Sequence, residues 1–393
     1  MADLSRPKGH RPRWNYALVL SLCVFFTLSC DEQVSRIEPA HAQAIGPGPW
    51  PATRIKLLFD GDLGPDPCDY TTLSMLHEYH RRGMIELVGT IGTTPDSYQA
   101  ATFSLYNQIY GNQIPFGVHR RSDGVSYGWP VRLMYRIALL TTTYANPNRV
   151  LSEKYAIANL PTAEEAPGPV ETYRRLLSEA EDDSITIYAA GPLFNFPPLL
   201  ESKPDRYSHL DGQALLKKKV KEFFFMGGYF PASSDFPLYK RTSGAEYNWW
   251  ALRKAGVTQT TIDALAEMGK PMTYVGFEVG ERIPVGQEII RRLGRNHPTS
   301  DAYYNYRSTY NGESEEGTEI SKDNPSFDDV ALYHLVEGGA GKHFGKVAGS
   351  VRIDEGGANS WAGNGGAESY LTLLPGAETE LIEILTDRIT GNF

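Results

Sequence analysis

The sequence predicts an α/β fold, an open and mostly parallel sheet flanked by helices and carrying loop insertions. Three observations predict it. Residues 55–60, 85–91 and 184–189 are short runs dominated by apolar and β-branched side chains, the composition of strands covered on both faces. Helical patterns follow the first two runs, so the order is strand, helix, strand, helix, strand. That alternation calls for parallel strands joined by right-handed crossovers.

Each element has its own signal. Residues 69–82 place Leu73, Leu76 and Tyr79 or His80 on one helical face, and Gly83 stops the helix. Residues 98–110 read as a helix ended by Gly111, and residues 114–118 as a third strand. Residues 124–162 are aromatic and irregular, an expected insertion over the site. A helix over 170–180 leads into the strand at 184–189, and Gly191-Pro192-Leu193-Phe194-Asn195 makes a tight turn after it. Residues 222–226 form a strand ending in a sharp turn at Gly227-Gly228. Residues 247–254 and 260–268 are helical, residues 271–279 extended, and residues 308–324 a polar, acidic loop. Helices follow at 328–336 and 378–389. With no internal repeat and no composition break, residues 54–393 read as a single domain.

Composition narrows the function. A chain of 393 residues is long for one domain but within reach of an α/β enzyme with insertions. Hydrophobic content of 41% with regular Gly and Pro punctuation marks a globular protein. The net charge of −9 argues against nucleic acid as the main partner, which would need a basic face. Residues 1–30 read as an export signal: Arg6, Lys8, His10, Arg11 and Arg13 precede an apolar core at 17–28. Thr27-Leu28-Ser29-Cys30 resembles a bacterial lipoprotein signal, in which Cys30 would be lipidated, although Thr27 stands where an aliphatic residue is usual. Ala40-His41-Ala42 and Ala42-Gln43-Ala44 are alternative cleavage sites. Either implies an exported protein, periplasmic or anchored at the outer membrane, whose only membrane contact is a lipid anchor. Residues 31–53 read as a tether. Cys23 and Cys30 lie in the signal, so Cys68 is alone in the body and no intramolecular disulfide forms there.

The chemistry concentrates after the first strand. Asp60, Asp62, Asp66 and Asp69 crowd one Gly/Pro-rich turn. Carboxylates this close repel one another unless water screens them or a cation neutralises them, and hard divalent cations select oxygen clusters. Ligands of parallel sheets gather outside the strand carboxyl ends, where this turn would lie. A solvated acidic loop is the plainer reading. An EF-hand loop is excluded, because Gly64 fills its fifth position and a strand, not a helix, precedes it. A haloacid-dehalogenase-type phosphatase shares the strand and the next-but-one aspartate, and Asp328-Asp329 would supply its distal acids. Its fifth position, however, is usually Thr or Val.

Four segments in order resemble the inosine–uridine nucleoside hydrolase family. Residues 60–69 (DGDLGPDPCD) look like the D-x-D-x-G-x-D-x-D-D turn of its bacterial subgroup. Ala190-Gly191-Pro192-Leu193-Phe194-Asn195 resembles a G-P-L-T-N turn. Met226-Gly227-Gly228 with Ala245-Glu246-Tyr247-Asn248 resembles an M-G-G … A-E-x-N block, and Phe327-Asp328-Asp329-Val330-Ala331 is similar to H-D-P-x-A. The resemblance implies cleavage of the N-glycosidic bond of a nucleoside or similar small-molecule glycoside, with Ca2+ as cofactor. It implies Asp62 as metal ligand and general base, with Asp69, Asp328 and the backbone carbonyl of Phe194 as further ligands. Asp60 would support them. Asp66 and Cys68 would face substrate, and Glu246 and Asn248 would bind ribose hydroxyls. Assembly into a homo-oligomer stays open.

The residue types suit that chemistry. Water is a poor nucleophile at neutral pH, so a cation lowers its pKa and a carboxylate takes its proton. Anionic oxygens then stabilise an oxocarbenium-like ribosyl centre. Two positions depart from the family. Cys68 stands where the subgroup has aspartate, and Phe327 where several members have the histidine that protonates the leaving base. Tyr229, Tyr239 and Tyr247 are the nearest replacement acids in the sequence. If these changes abolish the chemistry, a nucleoside- or sugar-binding lipoprotein on the same scaffold remains. The plainer roles are a turn cap for Asp60, a helix N-cap for Asp69, a turn residue for Asn195 and a helix start for Glu246 and Asn248. His77, His80, His119 and His343 join no constellation.

Overall fold

The computed structural model describes residues 54–64, 66–120, 145–155, 160–230, 245–252, 258–311, 322–339, 341–363 and 366–393. The expected signal and tether, residues 1–53, lie outside them. The chain opens with β1 (Ile55–Gly61), α1 (Cys68–Arg81), β2 (Ile85–Gly92), α2 (Gln99–Tyr110) and β3 (Phe116–Gly117). Then come α3 (Pro147–Lys154), α4 (Pro169–Glu179), β4 (Ile185–Ala190), α5 (Phe196–Leu200), α6 (Gly212–Lys219) and β5 (Val220–Met226). The middle holds α7 (Tyr247–Leu252), α8 (Thr258–Ala266), β6 (Met272–Val275), α9 (Phe277–Gly280), β7 (Pro284–Val285) and α10 (Gln287–Leu293). The last part is α11 (Pro298–Asn311), β8 (Asn324–Pro325), α12 (Phe327–Glu337), β9 (Phe344–Ile353), β10 (Asn359–Ala362), β11 (Glu368–Leu373) and α13 (Glu378–Ile389).

Among the described residues nine strands form one sheet in the order β10-β9-β11-β6-β5-β4-β1-β2-β3. The strands from β3 to β11 along that order are parallel, while β9 and β10 are antiparallel additions at one edge. This is the open, mostly parallel sheet with flanking helices that the strand–helix alternation predicts. Strand β1 runs between β2 and β4, with Asp60 level with Ile91 and Ala189. Apolar side chains cover both of its faces, Leu57, Leu58 and Phe59 being fully buried. Against the other half of the sheet, the rings of Phe196, Phe223, Phe225 and Tyr274 pack at centroid distances of 5.3 to 6.4 Å. Burying each such side chain contributes about 1.5–3 kcal/mol.

Several local expectations change. Inside the segment expected to be irregular, α3 forms because Asn146 caps it, accepting from Arg149 N at 2.9 Å, and Pro147 takes its first position. Residues 271–279 do not stay extended. Strand β6 stops at Val275, and α9 begins where Phe277 N–H bonds back to the Gly228 carbonyl at 2.9 Å. The strand expected at 114–118 shrinks to two paired residues, since Pro115 has no N–H to give the ladder. Helix α11 continues to Asn311, into the expected polar loop, and residues 312–321 lie outside the described set. Among the described residues no helix is long and apolar enough to cross a membrane.

Candidate active site

Sheet order sets the place. The chain moves from β1 to β2 to β3 in one direction, then returns to put β4 on the other side of β1. Beyond the carboxyl ends of β1 and β4 this reversal opens a crevice, the usual ligand position in such sheets. The aspartate turn follows β1 there, and the 191–195 turn follows β4. The two press together so closely that a Cβ on Gly191 would sit 2.9 Å from Asp62 N, so only glycine fits. Phe194 is buried in that second turn.

Asp60 is a buttress. Tyr173 of α4 donates to its Oδ2 at 2.6 Å, and Asn195 Nδ2 reaches its two oxygens at 3.2 and 3.0 Å. Burial pushes its carboxyl up to about 7 despite these bonds. Asn195 is thus more than a turn residue, since it ties the β4 turn to β1. After Asp62 the backbone at Leu63 takes φ +41°, a left-handed conformation uncommon outside glycine. Neighbours hold it there. Asn148 Nδ2 donates to the Leu63 carbonyl at 2.9 Å, Thr94 Oγ1 donates to the Asp62 carbonyl at 2.6 Å, and Gln99 Nε2 donates to the same oxygen. Asn148 Oδ1 in turn accepts the hydroxyls of Tyr70 and Thr102 at 2.9 and 2.8 Å.

Helix α1 starts at the other end of the turn. Pro67 occupies its N-cap position, so Asp69 is not the N-cap; its Oδ2 instead accepts Gly64 N–H at 2.9 Å. Asp66 takes the capping work, accepting Cys68 N–H at 3.0 Å and Asn324 Nδ2 at 2.9 Å. From the far part of the chain, Asp328 enters on the first turn of α12. The Cys68 thiol donates to Asp328 Oδ2 at 3.3 Å, and Tyr188 of β4 donates to the Asp328 carbonyl at 2.8 Å. Asp329 turns the other way and accepts the hydroxyls of Thr71 and Thr72, both at 2.8 Å, which clamps α12 to α1.

Asp62, Asp69 and Asp328 therefore meet, although 328 lies in the opposite half of the sequence. Burial raises all three carboxyls: Asp62 to about 6, Asp69 and Asp328 well above the ordinary range, the last two raised further by the charge of Asp62. Burial also raises the Cys68 thiol, with Asp328 the next cause. One strand over, Glu246 and Asn248 stand at the carboxyl end of β5. The Glu246 carboxylate accepts Gly228 N–H and Asn248 N–H, both at 2.9 Å, and Asn248 Nδ2 donates to the Met226 carbonyl at 3.1 Å. Burial pushes Glu246 up to about 7, and it lies near enough to Asp62 to feel that charge.

Among the described residues, no three His, Cys, Asp or Glu side chains close into a finished metal-ligand set. The donors nonetheless fit a hard cation. Asp69 Oδ1 is buried without a hydrogen-bond donor. It can bond to Asp62 only if one of the two takes up a proton; as carboxylates they repel. Oxygen donors that are buried, mutually repelling and partly unsatisfied are what a divalent cation neutralises.

No protein-family profile and no curated protein matches the sequence. Solved structures match the fold. A plant nucleoside hydrolase is 14% identical with a TM-score of 0.56, covering 86% of this chain and 99% of its own. The inosine–uridine preferring nucleoside hydrolase of Bacillus anthracis is 14% identical with a TM-score of 0.57, at the same coverage of 86% and 99%. The type III effector protein XopQ, solved with adenosine diphosphate ribose, is 12% identical with a TM-score of 0.55, covering 86% of this chain and 93% of its own.

The chain has the nucleoside hydrolase fold. Within this nucleoside hydrolase fold, Asp60, Asp62, Asp69, Cys68 and Asp328 gather at the crevice, with Phe194 buried in the adjoining β4 turn, while Asp66 bonds the helix start and Asn324. Of the tyrosines weighed as acids, Tyr229 is half-buried, Tyr247 is exposed, and Tyr239 lies outside the described residues. The sequence reading missed three supports of the site: Tyr173, Asn195 as a clamp, and Asn148. Only α3's Asn-Pro cap could have pointed to one of them, by putting Asn148 on a helix.

Proposed function

We propose that the protein is a hydrolase that cleaves the N-glycosidic bond of a ribonucleoside or similar ribosyl compound and requires Ca2+. The observation that carries this reading is the meeting of Asp62, Asp69 and Asp328, with an unsatisfied buried oxygen among them, at the crevice of a nucleoside hydrolase fold. When bound, the cation supplies the positive charge that makes water acidic enough to attack. Asp62, Asp69, Asp328 and the Phe194 carbonyl would hold it. Asp62 takes the proton from the attacking water. Burial makes that carboxylate more basic than usual, which suits the task. Glu246 and Asn248 orient the ribose hydroxyls, Cys68 and Asp66 border the sugar, and Asp60 keeps β1 and the β4 turn in register. The surrounding carboxylates favour the positive charge that develops on the sugar.

Free base and ribose released from a nucleoside panel, with adenosine diphosphate ribose included, should be measured with Ca2+ and with chelator. Turnover is expected with Ca2+ and not with chelator, and Asp62→Asn should lower kcat by about 10²–10⁴-fold. Binding without turnover would instead indicate a non-catalytic nucleoside- or sugar-binding protein. Export through residues 1–30 with lipidation at Cys30 belongs to the same proposal. Labelled palmitate should enter the chain in bacterial cells and be lost in Cys30→Ala.

A further inference from the structure

Phe327 leaves the base of the substrate without the acid expected at that position, and the fold offers another from a neighbouring strand. We propose that Glu278 is the acid that protonates the departing base, an inference that rests on the glycosidase reading above. Glu278 lies on α9, just past the carboxyl end of β6, which pairs with β5. Its carboxylate folds back over Gly276, where an added Cβ would collide with it, and Phe230 N–H donates to its Oε2 at 3.1 Å. The helix is fixed to the Asp328 turn. Phe277 stacks on Phe327 with ring centroids 4.5 Å apart, and Gly280 packs directly on the Phe327 backbone. Phe277 and Gly280 thereby fix the helix that carries Glu278 to the turn that brings Asp328 to the crevice.

A second carboxyl, Glu246, stands close by, and the two differ in a way that assigns the role. Glu246 is the more deeply buried, accepts Gly228 N–H and Asn248 N–H, and is already assigned to the ribose hydroxyls. Glu278 keeps a partly exposed side chain. Burial, then the charges of Glu246 and Glu281, push the Glu278 carboxyl up to about 7, and among the described residues Tyr370 also feels its charge. Burial thus inclines Glu278 to keep its proton near neutral pH. As the C1′–N bond breaks, its electron pair goes to the base nitrogen, which takes the Glu278 proton. Water oxygen bonds to C1′ and gives its proton to Asp62. Ribose and free base leave, and both carboxyls re-equilibrate with solvent.

The test compares inosine and uridine with p-nitrophenyl riboside, whose leaving group departs as an anion and needs no acid. Glu278→Gln should lower kcat for the nucleosides by about 10²-fold or more while retaining turnover of the aryl riboside. In the wild type, nucleoside turnover should fall as pH rises through about 7, with no such fall for the aryl riboside. Equal loss on both substrates would mean a structural role for Glu278, and no loss on either would mean no role; each overturns the proposal. A wild type inactive on all three substrates would overturn the glycosidase reading and this inference with it.

Discussion

Cys68 places a thiol among the oxygens of the crevice, and its bond to Asp328 shows what it does in the fold. A buried thiol with a raised pKa stays protonated and donates its hydrogen to a carboxylate. Cys68→Asp would exchange that donor for a fourth buried acid. With Ca2+ present the change should preserve or raise nucleoside turnover, because an aspartate accepts a sugar hydroxyl better than a thiol does. With chelator it should lower Tm, since no donor then offsets the added repulsion. Complete loss of turnover in a folded variant would give the thiol itself a role. At this scale the aspartates were legible because four of one type crowd a short turn. Tyr173, Asn148 and Glu278 were not. They are ordinary residues whose meaning comes from partners such as Asp60, Leu63 and Phe230, separated from them by 113, 85 and 48 residues.

Two helix starts aim at the crevice, those of α1 and α12, and each carries acids in its first turn. The partial positive charge at a helix N-terminus favours carboxylates by about 0.3–1 kcal/mol each. This is too little to offset their burial, so the raised pKa values remain. Precision comes from helix α3 instead. Asn148→Ala would leave the Leu63 carbonyl and the hydroxyls of Tyr70 and Thr102 without their shared partner. Losing it should cost about 1–3 kcal/mol in a denaturant titration, and the relaxed Asp62 turn should lower kcat. An unchanged kcat would detach that turn from catalysis. Most elements were legible from periodicity, down to a last helix matching Glu378–Ile389. Strands β9 to β11 were not, because β9 (FGKVAGSVRI) mixes glycine, lysine and serine into its alternation. Its pairing with β11 rather than its pattern makes it a strand.

For the molecule as a whole, the buried acids make stability depend on pH and on the cation together. Asp60, Asp329, Glu246 and Glu278 are pushed up to about 7 and Asp62 to about 6, from ordinary values of 3.8 for Asp and 4.5 for Glu. A carboxyl whose pKa is higher folded than unfolded binds its proton more tightly in the native state. Its contribution is complete below about pH 4 and is lost as pH rises through 6 to 7. A cation at Asp62, Asp69 and Asp328 competes with those protons. The Tm difference between Ca2+ and chelator should therefore be small near pH 5 and grow toward pH 8. A difference that stays constant or absent across that range would speak against a cation there. By itself the sequence determined the strand–helix alternation, the parallel sheet and the acidic turn at its carboxyl edge, because these depend on local periodicity and composition. Only the tertiary structure decided which acids meet, which backbone strain is held and which carboxyls burial pushes up. Those properties arise from burial and from contacts between distant parts of the chain, to which no local pattern is sensitive.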